Sequence, residues 1–132
     1  MDTAQILFIL RDVTSFLGVF PSDMLPRSFT RSSTVIINAV PLTEICSDWL
    51  AVHLQPKFSS AYFFDSYGIM PLVPDIAAFL RRNSTAWDYN RRHLQGLTIN
   101  ICGKYSSLFA LYIDRGFTAK QFVRRFDGAS AD

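Results

Sequence analysis

The pair Cys102-Gly103 is the strongest candidate for chemistry in this sequence of 132 residues. It begins a block, Cys102 to Arg115, in which apolar residues recur at helical spacing. A cysteine in the first turn of a helix lies near unpaired backbone N–H groups and the positive end of the helix dipole, and both stabilise a thiolate. The following glycine lets a substrate carbonyl approach closely. The pair therefore predicts a nucleophile, although an isolated cysteine also fits a small, buried apolar residue.

The other cysteine and the two histidines form no metal-ligand pattern. Cys46 and Cys102 do not make a Cys-x-x-Cys motif, and His53 and His93 are isolated in the sequence. Two cysteines are also too few for the disulfide framework of a small secreted protein. We therefore expect no metal, no cofactor and an intracellular protein of the cytoplasm or nucleus.

Three arginine pairs are the candidates for a nucleic-acid surface. They are Arg81-Arg82, Arg91-Arg92 and Arg124-Arg125, and Trp87 and Tyr89 lie between the first two. Basic and aromatic residues interleaved in this way are typical of grooves that bind single strands. Solvated helix ends explain the same pairs. The formal net charge of +2 does not by itself indicate a polyanionic partner.

The elements that must position these residues follow from hydrophobic periodicity and from turn residues. Helices are predicted at Thr3 to Leu17, Pro74 to Asn83, Cys102 to Arg115 and Thr118 to Phe126. Strands are predicted at Thr34 to Val40, Trp49 to Gln55 and Ala61 to Asp65, the last two as a hairpin, with a further short strand around Leu94 to Leu97. The stretch from Gly18 to Ser33 is predicted to be a loop. This order predicts an α+β fold with one small mixed or antiparallel sheet flanked by helices.

Length and composition limit the class of protein. A chain of 132 residues with 49% hydrophobic and 18% charged residues predicts one compact domain, not a disordered or fibrous one. We expect this domain to span residues 1–126, with a frayed tail at 127–132, and to be a monomer. The apolar run Ile6 to Leu10 is interrupted by Arg11-Asp12, which excludes a signal peptide, and no stretch reaches the roughly 18 apolar residues of a membrane span.

Four blocks of the chain together resemble the adenovirus-type cysteine proteases of viruses and large DNA transposons. This adenain-like family is itself similar to the SUMO and ubiquitin-like deconjugating proteases. The blocks are Phe16 to Phe20, Val35 to Asn38 with Asp48 to Val52, Tyr62 to Gly68, and Gln95 seven residues before Cys102-Gly103. The match covers roughly residues 3 to 115. It implies a papain-like, adenain-like protease fold with the nucleophile at a helix N-terminus.

The resemblance also implies roles for individual residues. Cys102 is the expected nucleophile, Gln95 an oxyanion-hole donor and Asp65 the carboxylate that orients an imidazole. In the family pattern a histidine directly precedes the tryptophan, and here that position is Asp48. His53 is no substitute, because an odd offset from position 48 points its side chain to the opposite face of a strand. His93 lies in an arginine-rich stretch, and we expect it to be a surface residue.

The missing histidine predicts an impaired enzyme. An unperturbed thiol is only about 3% thiolate at pH 7, and a neighbouring carboxylate raises the thiol pKa further by like-charge repulsion. Loss of general acid and base catalysis alone costs about 10²–10⁴-fold in rate. We therefore expect a cysteine endopeptidase domain, acting on peptide or isopeptide bonds, with little activity. The alternatives are a pseudoprotease that binds a peptide or ubiquitin-like tail without cutting it and, third, a DNA-associated structural protein. By family analogy only, an activating peptide or DNA is a further expected partner.

Overall fold

The strands form one five-stranded mixed sheet in the computed structural model, which describes residues 2–39, 49–92, 94 and 102–126. They are β1 (Phe16–Pro21), β2 (Ser33–Asn38), β3 (Trp49–Gln55), β4 (Ser60–Phe64) and β5 (Ala86–Tyr89), and they lie in that order across the sheet. The two outer pairs are parallel and the two central pairs antiparallel. The predicted α+β class is confirmed, and the sheet is mixed.

Four helices cover the two faces of this sheet. They are α1 (Thr3–Ile9), α2 (Pro74–Asn83), α3 (Cys102–Asp114) and α4 (Ala119–Phe126). Buried residues of α1, α3 and α4 belong to one hydrophobic cluster, and those of α2 belong to a second cluster on the other face. None of the helices within the described ranges is long and apolar enough to cross a membrane.

Strand β3 is central and is buried on both faces. Trp49 and Ala51 belong to the cluster under α3, whereas Leu50, Val52 and Leu54 belong to the cluster under α2. This alternation is the period of two that a strand imposes on its side chains. The predicted hairpin is also confirmed, since β3 and β4 pair antiparallel around the short 3₁₀ turn Pro56–Phe58.

Helix α3 is held on the sheet by aromatic rings and by small residues. The ring of Phe109 stacks on Phe64 of β4 at 5.0 Å and meets Phe122 of α4 edge-on at 5.6 Å. The small residues Ser106, Ser107 and Ala110 are also buried. Small side chains let the helix backbone approach the sheet closely, so the position of α3 relative to β3 and β4 is fixed by tight packing.

The prediction for the first helix is wrong beyond its first two turns. The expected start is confirmed, because Asp2 and Gln5 form a capping box with both hydrogen bonds at 2.8 Å. The helix ends at Ile9, however, and residues 16–21 form β1, in a region expected to be helix and then loop. Pairing with β2 decides this conformation: the Thr34 amide donates to the Ser15 carbonyl at 2.8 Å, and Phe16 lies opposite Thr34.

The structure differs from the prediction at two further places before α3. Strand β5 was not predicted, because four exposed or half-exposed residues at a sheet edge carry no periodic signal of their own. Leu94 is not part of a strand, and the remainder of the strand expected at 94–97 lies outside the described residues. The expected tail at 127–132 lies outside them as well.

Candidate active site

The candidate site begins where β3 starts and β4 ends. These two strands are antiparallel, and their last pair at this end joins Ala51 to Phe64. Extending the register by one residue places Leu50 beside Asp65, and Trp49 precedes Leu50. The predicted carboxylate, Asp65, therefore lies next to the start of β3, whose first residue follows position 48.

Asp65 is buried in a tight turn that closes behind β4. Its side chain is 5% exposed, and its Oδ1 accepts the Tyr67 amide hydrogen at 2.9 Å. Its carbonyl accepts the Gly68 amide hydrogen at 2.7 Å. Asp65, Ser66 and Gly68 therefore form a hydrogen-bonded turn. It holds a carboxylate in an interior position, which a solvent-facing turn would not.

Burial decides the acid strength of this carboxyl group. Removal from water raises the pKa of Asp65 to about 6, although the hydrogen bond from the Tyr67 amide favours the charged form and opposes the rise. The group is thus close to half-ionised in weakly acidic solution. A cation beside it would find a partner at neutral pH, and an imidazolium is the cation that a cysteine-protease triad would supply.

Asn90 ties this turn to the segment that follows β5. Its Oδ1 accepts the Asp65 amide hydrogen at 3.1 Å, and its Nδ2 donates to the carbonyls of Asp65 at 2.7 Å and Arg92 at 3.0 Å. Leu94 is bound to the same turn, since its amide donates to the Ser66 carbonyl at 2.9 Å. Asn90 could not be recognised from the sequence, because an asparagine between Tyr89 and an arginine pair belongs to no motif.

The first turns of α3 lie over the same end of the sheet. Cys102 is the first residue of α3, as predicted, and Gly103 is buried behind it. One turn further on, the Ser106 hydroxyl donates to the Trp49 carbonyl at 3.3 Å. This contact brings the N-terminal part of α3 to the start of β3. The backbone of the predicted nucleophile position therefore approaches the same end of the sheet as Asp65.

The remaining predicted site residues fall outside the described part of the chain. Asp48 and Gln95 are among them, and so are His93 and the side chain of Cys102. Their chain neighbours are described: Trp49 follows Asp48, and Leu94 precedes Gln95. Both neighbours are buried in the cluster under α3. No group of three or more His, Cys, Asp and Glu side chains that could hold a metal ion occurs within the described ranges.

His53 lies at the other end of β3, four residues beyond Trp49, which is about 13 Å along a strand. Its Nδ1 is 3.2 Å from the Thr34 hydroxyl, and burial lowers its pKa, although a hydrogen bond with the Ser33 backbone opposes that shift. The imidazole lines a cavity of about 520 Å³ together with Asp114, at the last turn of α3, and Gly116. The described histidine is therefore remote from Asp65.

Two of the three arginine pairs contribute to one surface, and the third pair lies apart from it. Arg81-Arg82 ends α2, which covers one face of the sheet, and Arg124-Arg125 lies on α4, which covers the other face. Arg82 donates to backbone carbonyls of the loop before β2. Arg91 is paired with Asp88 and lies over the Tyr89 ring. Arg91, Arg92 and Arg124 line one cavity of about 300 Å³ together with Lys120 and Tyr89, whereas Arg81-Arg82 lies on the other face of the sheet.

Two buried hydroxyls near the candidate site have no hydrogen-bond partner among the described residues. They are Ser66 Oγ, beside Asp65, and Ser107 Oγ, in α3. A buried polar atom without a partner is uncommon in folded proteins, so each hydroxyl contributes to stability less than a satisfied one would.

Comparison with known proteins adds no assignment. No protein-family model matches the chain, and no curated protein matches it significantly.

Proposed function

We propose that this chain is a cysteine-peptidase domain of the adenain-like class in which hydrolysis is impaired by Asp48. The observation that carries the proposal is the convergence of Asp65, the start of β3 and the first turns of α3 at one end of the sheet. The proposal takes position 48, directly before Trp49, as the base position and Cys102 as the nucleophile position, so that acid, base and nucleophile would come from three separate elements, as a triad requires.

The proposed reaction is attack by the Cys102 thiolate on a peptide or isopeptide carbonyl. The carbonyl carbon forms a bond to sulfur, the leaving amine takes a proton, and water then hydrolyses the thioester. Gln95 and backbone N–H groups are the proposed donors to the oxyanion, and Asp65 is the proposed partner of an imidazole at position 48. With Asp48 in that position, the imidazole is replaced by a much weaker base, and the charge of the carboxylate opposes thiolate formation.

The second candidate function is binding without cleavage. Asp48 favours it, because a carboxylate in the place of the base impairs the chemistry without removing the backbone groups to which a peptide could bind. Such a pseudoprotease would hold a peptide or a ubiquitin-like tail.

Replacing Asp48 by histidine separates the two candidates. We expect Asp48→His to cleave a peptide containing Gly-Gly at least about 10²-fold faster than the parent chain, because general acid and base catalysis is restored. The matched control is Asp48→His with Cys102→Ala, which should return to the parental rate. Binding of the peptide with no gain in cleavage would support the pseudoprotease. Robust cleavage by the parent chain, lost in Cys102→Ala, would contradict the impaired site.

A further inference from the structure

Both polar atoms of the Asn90 side chain form hydrogen bonds to backbone, and these bonds connect Asp65 with Arg92. Its carbonyl oxygen accepts from the Asp65 amide, and its amino group donates to the carbonyls of Asp65 and Arg92. The residue is 7% exposed, so water does not compete for these groups. Asn90 lies in the chain 25 residues after Asp65, and the bonds therefore connect the end of β4 with the segment that follows β5.

Two further contacts tighten the same junction. The Leu94 amide donates to the Ser66 carbonyl at 2.9 Å, one residue beyond Asp65. Gly68 has φ +71°, and a Cβ built there would lie 2.3 Å from the Arg92 carbonyl carbon. The turn at 65–68 and the segment at 90–94 are thus in direct backbone contact. Because Leu94 is followed by Gln95, whatever fixes this segment also fixes the point from which residue 95 departs.

We propose that Asn90 is a positioning residue that makes the Asp65 turn and the segment leading to Gln95 open and close as one unit. Its role is to keep the Asp65 turn in a constant position relative to the backbone of Arg92 and Leu94. Asn90 acts through backbone groups and does not touch the reacting atoms. The consequence for catalysis rests on the proposed function, whereas the joint opening of the two segments does not.

The joint opening is tested first in the unmodified chain by amide hydrogen exchange. The amides of Asp65, Gly68 and Leu94 should exchange with one common opening constant and one common dependence on denaturant. The Thr85 amide, which donates to the Ser59 carbonyl at the far end of β4, serves as the reference. Opening constants for Leu94 and Asp65 that differ by more than about tenfold would overturn the proposal.

Two variants test whether Asn90 is the cause. Asn90→Ala removes all three bonds, and the near-isosteric Asn90→Asp keeps an acceptor for the Asp65 amide while losing both donated bonds. Each should speed exchange at Leu94 and Gly68 by about tenfold or more, since buried groups lose their partners. The matched control is Asn83→Ala, which removes a 3.0 Å bond from a half-buried asparagine to the Phe79 carbonyl in α2. Unchanged exchange at Leu94 in a folded Asn90 variant would overturn the proposal.

The catalytic consequence is measured in the Asp48→His protein. There Asn90→Ala should lower kcat by about 10²-fold with KM within a few-fold, because a small displacement of catalytic groups affects the reaction more than binding. Asn83→Ala should leave kcat unchanged. An equal loss of kcat in both variants would show that Asn90 is merely structural. If Asp48→His itself has no activity, the proposed peptidase function fails, and the exchange rates alone decide the joint opening.

Discussion

A buried ionisable group lies near each end of strand β3, and the two groups have different surroundings. At the Trp49 end, Asp65 lies in a turn that is packed against the backbone of Arg92 and closed by Asn90. At the other end, His53 borders a cavity of about 520 Å³ and pairs with Thr34. Burial favours the neutral form of both groups. The end near Asp65 is closed by hydrogen bonds and backbone contacts, and the end near His53 borders a cavity.

This difference shows why His53 does not complete a triad. A general base must reach the proton that it removes, within about 3 Å or through one water. The imidazole of His53 lies at the end of α3 opposite to Cys102, and the 13 residues of α3 rise about 20 Å. His53 is therefore too remote to act as the base of the proposed triad, and the comparison between the two ends of β3 can be tested.

The largest expected effect concerns catalysis at the two ends. In the Asp48→His protein, Asp65→Asn should lower kcat/KM by about 10²–10⁴-fold, because the imidazole loses the carboxylate that orients it and stabilises its charge. His53→Gln in the same protein is the matched control and should change kcat/KM by less than about threefold. Steady-state cleavage of a Gly-Gly peptide measures both. A larger loss of kcat/KM in His53→Gln than in Asp65→Asn would contradict a catalytic site at the Asp65 end of β3.

A smaller effect concerns stability at two glycines, one at each end. Gly116→Ala should cost about 1–2 kcal/mol, because φ +96° is strained for alanine although nothing lies within 4 Å of the new Cβ. Gly68→Ala should cost at least about 3 kcal/mol, because strain at φ +71° adds to a clash with the Arg92 backbone. Urea denaturation measures both free energies of unfolding. Equal costs would show that the Asp65 turn is no tighter than the cavity end.

The smallest effect concerns the pH dependence of stability. The pKa of Asp65 is raised from 3.8 to about 6 in the folded chain, so its stabilising contribution is complete below pH 3.8 and is lost as pH rises through about 6. Asp65→Asn keeps an acceptor for the Tyr67 amide and should stabilise the protein at pH 7.5, with no gain near pH 3.5.

His53 should give the opposite slope. Its pKa is lowered, so its contribution is present above pH 6.5 and is lost as pH falls through the folded value. His53→Gln should therefore flatten the fall of stability on the acidic side. Thermal unfolding across pH measures how each substitution changes the slope of stability against pH. Changes of the same sign for Asp65→Asn and His53→Gln would contradict burial as the common cause of the two pKa shifts.

The sequence predicted most of the fold because its central elements are buried and periodic. Strand β3 and helix α2 have the predicted bounds, and α3 begins at the predicted Cys102. The errors fall where long-range pairing decides the conformation. Residues 16–21 are a strand because β2 lies beside them, and β5 exists because β4 does. Both strands depend on pairing with a distant part of the chain, so a short stretch of sequence does not reveal them.

The candidate site could be predicted only in outline. The start of a predicted helix singled out Cys102, and the resemblance to the adenain-like proteases singled out Asp65. Antiparallel pairing of β3 with β4 places Asp65 next to the start of β3. Asn90 could not be predicted in this way, because its role consists of hydrogen bonds to backbone groups that are distant in the sequence. Predicting such contacts requires the register of strands β4 and β5, which the sequence pattern does not supply.

The most direct test of the central claim is the pH profile of alkylation at Cys102. The measurement uses Cys46→Ser, which leaves one thiol, and compares it with Cys46→Ser combined with Asp48→His. The account predicts a rate midpoint at or above about pH 8.5 when position 48 is aspartate, and below about pH 7.5 when it is histidine. Identical profiles in the two proteins would contradict it, because residue 48 would then not lie beside the sulfur.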